Sequence, residues 1–230
     1  MISIIIPTLN EAACIATALD ALAPFRERGA EIIVVDGGSN DDTAAIARAY
    51  GATVILSTRG RAPQQNTGGA AAHGDTLFFL HVDTRLPATA IEDVQRAFSN
   101  STAQWGRFDV TLQPDPAPGP AMLRVIARMM NLRSRLTGIA TGDQALFMRK
   151  SAFERIGGFP EIALMEDVAI SRALKKIAPP ICLTSRVETS ARRWQVQGVW
   201  KTIVLMWALR LAYWCGASPT KLAQWYRNVR

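Results

Sequence analysis

The chain opens on a nearly unbroken β-branched apolar run, residues 2–6, stopped by Pro7. That is the pattern of a short strand buried on both faces. Behind it, Ile15, Leu19 and Leu22 recur at helical spacing, with Asn10 placed to cap the helix they mark. A second apolar run, residues 31–35, closes at Asp36-Gly37-Gly38, and Ser39-Asn40-Asp41-Asp42 predicts a capping box for a helix reaching Tyr50. Residues 53–56 and 76–82 predict two more strands, with a Gly- and Ala-rich helix between them. Strands and helices that alternate in this way predict an α/β fold, with a mostly parallel, Rossmann-like sheet flanked by helices.

Past Asp83 the alternation loosens. Helices are predicted over 87–98, up to about Arg135, and over 165–176; strands are predicted over 105–112 and 144–149. Residues 113–120, the one proline-dense segment, are expected as an extended loop. The final fifty residues are expected to be helical, broken at Gly216-Ala217-Ser218-Pro219. The division is one α/β domain over 1–195 and a helical C-terminal annex over 196–230.

Composition agrees with a folded domain. At 230 residues, 49% hydrophobic and 20% charged, the chain is long enough for one sizeable core and unlike a disordered segment. Cys14, Cys182 and Cys215 form no CxxC pair, which excludes a disulfide framework and predicts a reducing, cytoplasmic setting. Met1 leads straight into the first strand, so no signal peptide is expected, and the apolar stretch 202–209 is too short to span a bilayer.

Charge is unevenly divided. Residues 1–115 hold 8 Lys/Arg against 13 Asp/Glu, a net of −5; residues 116–230 hold 18 against 6, a net of +12. An acidic front half suits a metal or carboxylate-rich cleft, and a basic rear half suits phosphate or an anionic membrane surface. Nucleic-acid binding has only the charge in its favour, because no recognisable module or basic run with interleaved aromatics accompanies it.

Ligands of parallel α/β sheets collect where strands end. Those ends carry Pro7-Thr8-Leu9-Asn10-Glu11, Asp36, Arg59-Gly60-Arg61 and His81-Val82-Asp83. Carboxylates gathered on one edge are costly without a cation or hydrogen-bond partners; a divalent ion with a phosphorylated ligand meets both needs. Taken singly, Glu11, Asp36 and Asp83 read better as helix caps and turn residues; only the set together favours a site.

The ordered set resembles the family 2 glycosyltransferases of the GT-A fold. It consists of Ile4-Ile5-Ile6-Pro7-Thr8-Leu9-Asn10-Glu11, Val34-Val35-Asp36-Gly37-Gly38-Ser39, His81-Val82-Asp83, Gly157-Gly158-Phe159-Pro160 with Met165-Glu166-Asp167, and Ala191-Arg192-Arg193-Trp194. Arg59-Gly60-Arg61-Ala62, His81-Val82-Asp83-Thr84-Arg85-Leu86-Pro87 and Thr141-Gly142-Asp143-Gln144 are similar to a compact bacterial branch named for arsenosugar biosynthesis. The resemblance implies an inverting transfer of sugar from a nucleotide-diphosphate sugar, with uracil as the expected base, to an acceptor hydroxyl. It implies Mg²⁺ or Mn²⁺ on Asp83, and Pro7, Thr8, Glu11, Asp36, Arg61 and His81 around the donor. His81 replaces the first aspartate of the family's Asp-x-Asp, and a neutral imidazole could bond a ribose hydroxyl or the metal. Asp167 is the implied general base, with Glu166 able to share the role and Asp143 a second candidate.

Arg193 and Trp194 either line the donor phosphate or acceptor, or are a surface arginine beside a core tryptophan. A nucleotide-sugar binding module without turnover is the alternative that His81 keeps open. A nucleotidylyltransferase would want a Gly-rich basic loop after the first strand, where Pro7-Thr8-Leu9-Asn10-Glu11 stands instead.

In the annex Trp200, Ile203, Trp207, Leu211 and Trp214 fall on one helical face flanked by Lys201 and Arg210. The favoured expectation for that face is core packing on the α/β domain. A homodimer seam, or peripheral contact with the inner leaflet at a lipid-linked acceptor, stands as the alternative.

Overall fold

The computed structural model describes residues 1–114 and 121–229. Four strands, β1 (Ile2–Thr8), β2 (Glu31–Asp36), β3 (Thr53–Leu56) and β4 (Thr76–Phe79), alternate with α1 (Ala12–Glu27), α2 (Thr43–Ala49) and α3 (Arg61–Ala71). They then give way to β5 (Thr84–Arg85), α4 (Ala90–Ser99), β6 (Trp105–Gln113) and α5 (Met122–Thr137). A 3-10 turn, Gly142–Gln144, leads into β7 (Leu146–Arg149), α6 (Lys150–Ile156), α7 (Glu166–Lys175) and β8 (Ile181–Ser190). The chain ends in α8 (Arg192–Gln197), α9 (Val199–Trp214) and α10 (Pro219–Val229).

One sheet runs β3-β2-β1-β4-β7-β6-β8-β5. The pairings among β1, β2, β3 and β4 are all parallel, as the apolar runs predict. The second half is mixed: β7 is antiparallel to both β4 and β6, β8 is parallel to β6, and β5 is antiparallel to β8. Alternation along β1 divides the core. Ile4 and Ile6 enter a cluster with α1, α2 and α4, whereas Ile5 enters the opposite cluster with α3, α6 and α7.

Helix α3 lies close to the sheet because a Cβ on Gly68 would collide with Ile5 and Val35, and one on Gly69 would sit 2.6 Å from Phe153. Helix α5 is fastened differently. Arg107, fully buried on β6, bonds Asp109, which also takes Nη2 of Arg135 at 2.7 Å. Asn131 adds a rung to β6, accepting from the Val110 amide at 2.9 Å and donating to its carbonyl at 3.1 Å.

Several expectations are corrected. Residues 181–190 are strand rather than helix; Val187 and Thr189 are buried while Thr184, Arg186 and Glu188 are exposed, the alternation of a half-buried strand. Asn10 does not cap α1: it takes φ 54° and its Oδ1 accepts the Asn40 amide at 2.9 Å. No capping box opens α2, because Asp41 Oδ1 instead accepts the Thr43 amide at 3.0 Å. The expected strand to Val82 ends at Phe79. Of the proline-dense segment, Gln113 closes β6 and 115–120 lie outside the described residues.

The annex is helical and packs into the body. Leu205, Leu209 and Leu222 share a cluster with Met165 and Val168 of the α7 region. The tryptophan stripe is not core: Trp200, Trp207 and Trp214 are 70, 68 and 74% exposed, since Leu205 and Leu209 on the opposite face make the contact.

Candidate active site

The parallel register sets Thr8 opposite Asp36, so β1 and β2 end side by side. Both residues are buried. Asp36 folds the following turn onto itself, its Oδ2 accepting the amides of Gly38 at 3.1 Å and Ser39 at 2.9 Å, with Ser39 Oγ on Oδ1. Gln64 of α3 ties the two strand ends together: its Nε2 donates to the carbonyls of Thr8 and Val35, each at 2.7 Å. Pro7 lies one step earlier in β1, opposite Val35. The Glu11 amide donates to Thr43 Oγ1 at 2.8 Å, which joins the start of α1 to α2.

A narrow pocket opens beside these ends. Phe79 and His81 line it from β4 and its following turn, Gln65 from α3, Thr141 and Gly142 from the 3-10 turn, and Glu166 and Asp167 from the start of α7. Three polar contacts organise it. His81 Nδ1 lies 3.4 Å from Asp143 Oδ1, Arg61 Nη1 lies 3.8 Å from Glu166 Oε1, and the Gly142 amide donates to Asp167 Oδ2 at 3.2 Å. The His81 ring lies so close to Gly142 that a Cβ there would strike Nε2. Glycine is therefore required for the ring to sit in the pocket wall.

The electrostatics sort the carboxylates. Burial and the neighbouring Asp167 raise the Glu166 pKa, partly offset by Arg61. Burial works against the Asp143 carboxylate, but the hydrogen bond and charge of His81, with Arg193 and Arg61, hold its pKa well below the usual range. Burial likewise works against the Arg61 guanidinium, yet Glu166, Asp143 and Asp167 raise its pKa above the ordinary arginine value. Glu166 and Asp167 occupy the first turn of α7, where the helix dipole favours negative charge.

Of the residues singled out in the sequence, Arg61, His81, Asp143, Glu166 and Asp167 come together here. Arg193 stacks over the Tyr226 ring at 5.6 Å while its charge reaches Asp143. Trp194 packs on the hydrophobic cluster of Leu112, Leu123 and Ala191. Asp83 stands apart from the pocket lining, exposed in the turn after β4.

Three side chains in and around the site escape a sequence reading. Gln64 is an internal clamp, and Gln65 is buried with Oε1 unpartnered. Arg133 of α5 keeps Nε and Nη2 buried without a partner; burial, with Arg210 nearby, pushes its pKa down to about 10. An amide or guanidinium has no periodic signature that would mark it beforehand.

Asp83 suits a hard divalent cation that arrives with a diphosphate. Such ions often take one or two carboxylates, completing their shell with water and substrate phosphates. Among the described residues no cluster of three or more His, Cys, Asp or Glu forms a protein cage. His81 faces Asp143 and lies against Gly142, while Asp83, exposed in the same turn, is a carboxylate that could hold such an ion.

The family model "Glycosyl transferase family 2" matches residues 3–157. A PGL/p-HBAD biosynthesis glycosyltransferase of Mycobacterium bovis is 39% identical over 93 residues, covering 37% of this chain and 36% of that protein. The glucosyl-3-phosphoglycerate synthase of Mycobacterium tuberculosis is 35% identical over 96 residues, covering 37% of this chain and 30% of that protein. The chain thus spans about a third of the length of these relatives. Among solved structures, S. aureus TarS bound to UDP superposes with a TM-score of 0.64 at 20% identity, over 82% of this chain and 60% of that one. The mannosyltransferase PcManGT of Pyrobaculum calidifontis, with GDP-Man and Mn²⁺, superposes at 0.61 with 20% identity, over 91% of this chain and 64% of that one. The glucosyl-3-phosphoglycerate synthase of M. tuberculosis, with Mn²⁺ and UDP, reaches 0.56 at 18% identity, over 82% and 70%. The fold is therefore GT-A.

Proposed function

The chain belongs to glycosyl transferase family 2, and from that premise we propose an inverting, metal-assisted transfer of sugar from a UDP-sugar to an acceptor hydroxyl. The observation that carries this reading is the oriented carboxylate: the Gly142 amide fixes Asp167 Oδ2 in a pocket at the carboxyl edge of the sheet.

The donor's nucleoside lies over the ends of β1 and β2. Asp36 accepts from the base with the lone pairs that its turn leaves over, and Pro7, Thr8 and Glu11 line the cleft beside it. Arg61 and Arg193 bring cationic charge to the diphosphate, and Gln65 Oε1 is free to accept from a sugar hydroxyl. Asp83 would hold Mg²⁺ or Mn²⁺, which supplies positive charge for the departing diphosphate. UDP in two structural neighbours, one of them with Mn²⁺, supports a UDP donor and a metal; a third neighbour binds GDP-Man with Mn²⁺.

Asp167 removes the acceptor proton as the acceptor oxygen attacks the anomeric carbon from the side opposite the diphosphate, which departs with the electrons of the broken C–O bond. A single displacement of this kind inverts the configuration there. Glu166 lies beside it with a raised proton affinity and serves as the carboxyl neighbour rather than the first base. Thermal stabilisation by a panel of nucleoside diphosphates, with and without Mn²⁺, tests the donor. UDP should give the largest shift, and only with the metal. Equal shifts from all of them, or none, contradict the reading.

A further inference from the structure

Two helices leave apolar faces in solvent. On α9, Trp200, Val204, Trp207, Leu211 and Trp214 are between 61 and 74% exposed, opposite the buried Thr202, Leu205 and Leu209. On α5, Val125, Met129, Leu132 and Leu136 are between 49 and 78% exposed, opposite the buried Leu123, Ile126 and Ala127. Both sets recur every three or four residues, so each is a stripe along the outer side of its helix. The helices are neighbours: Val199 and Ile203 of α9 pack on the cluster that α5 builds with Leu112 and Ala191. Two adjacent stripes of this size exceed the scattered apolar residues of an ordinary surface.

The charge around them has one sign. Helices α5, α8, α9 and α10 contain no aspartate or glutamate, whereas Arg124, Arg128, Arg192, Lys201 and Lys221 are exposed on them. We propose that the outer face of α5 and α9 docks on an anionic lipid bilayer, with the tryptophans at headgroup depth and the basic residues on lipid phosphates.

Three arguments favour this occupant over a second copy of the chain. Tryptophan, with an apolar body and one polar N–H, prefers the membrane–water boundary. A self-complementary seam would set Lys201, Arg124 and Arg128 near their own copies with no acid on these helices to compensate. An anionic leaflet supplies the missing charge along the whole face.

The helix lies in the plane of the interface rather than crossing it. No described helix is long and apolar enough to span a membrane, and the 16 residues of α9 extend about 24 Å, short of the hydrocarbon core. Away from the exposed stripes the same two helices carry Arg210 and Arg133, which are within electrostatic reach of each other, and Arg133 of Asp167 and Asp143. The inference does not depend on which donor or acceptor the enzyme uses.

Co-sedimentation of the full chain with vesicles tests it. Mixed phosphatidylglycerol–phosphatidylcholine vesicles should bind the protein, pure phosphatidylcholine much less, and binding should weaken from low to physiological salt. A variant carrying Trp200→Ser, Trp207→Ser and Trp214→Ser should lose roughly tenfold or more in partitioning. It should keep its circular dichroism and its nucleotide-induced thermal shift. The triple change Arg124→Glu, Arg128→Glu and Lys201→Glu should abolish the preference for phosphatidylglycerol. No sedimentation at either salt overturns the proposal, as does unchanged binding by the folded tryptophan variant. A dimer in light scattering that the tryptophan variant disperses, with no vesicle binding, overturns it in favour of a self-interface.

Discussion

One short turn treats two neighbouring positions differently. Gly142 gives its amide to Asp167, while Asp143 faces the imidazole of His81. Of the carboxylates around the pocket, Glu166 is the one with raised proton affinity, and its sign can be worked out. A carboxyl whose folded pKa lies above its unfolded value binds its proton more tightly in the native state. Its contribution to stability is therefore present at acid pH and is lost as pH rises through the folded value. Glu166→Gln should raise Tm at pH 7–8, with the gain shrinking toward pH 4; a gain that grows on acidification would contradict this. Asp83→Asn should leave Tm unchanged but lose the Mn²⁺-dependent part of UDP binding in calorimetry. Unchanged UDP affinity with Mn²⁺ would remove Asp83 from the site. Asp36, Asp83, Glu166 and Asp167 stand out in the sequence because they lie at strand and helix ends in an ordered set; the structure brings Glu166 and Asp167 to the pocket and leaves Asp83 outside its lining. Gln65 and Arg133 were not, because an unpartnered buried atom exists only after distant elements meet.

At the scale of elements, the apolar strands β1 and β2 and the α1 stripe were legible since each buries a continuous or periodic set. Strand β8 was missed although its alternation was present in Ile181-Cys182-Leu183-Thr184-Ser185-Arg186-Val187, because one of its faces is polar. The stripe on α9 was visible from spacing, but its direction was not: which face a helix buries depends on where Leu205 and Leu209 find partners. Fastening of α5 rests on ionic contacts that spacing does not reveal. Asp109→Ala would leave Arg107 charged and wholly buried with its main partner gone. Urea unfolding should report a loss of about 3–5 kcal/mol, larger than for Glu92→Ala on the exposed side of α4. Equal losses would mean that the Asn131 rung, not the ion pair, holds the helix.

On the scale of the whole molecule, the parallel half of the sheet presents the strand ends proposed to hold the donor, and the mixed half carries the turn and helix that bring Asp143 and Asp167 beside them. The charge split follows the same division, acidic in front and basic behind. The basic half also supplies Arg133 and Arg193, whose charges reach the pocket carboxylates, so its charge serves the site as well as the outer face. At the centre of the proposed reaction, Asp167, held by the Gly142 amide, takes the acceptor's proton. Glycosyl transfer, followed as nucleoside diphosphate release by Asp167→Asn and Asp143→Asn beside the parent at matched donor saturation, tests this step. Asp167→Asn should keep donor affinity and lose ~10²–10⁴-fold in turnover, with a smaller loss for Asp143→Asn. A larger loss for Asp143→Asn, or near-parental turnover by Asp167→Asn, would contradict it.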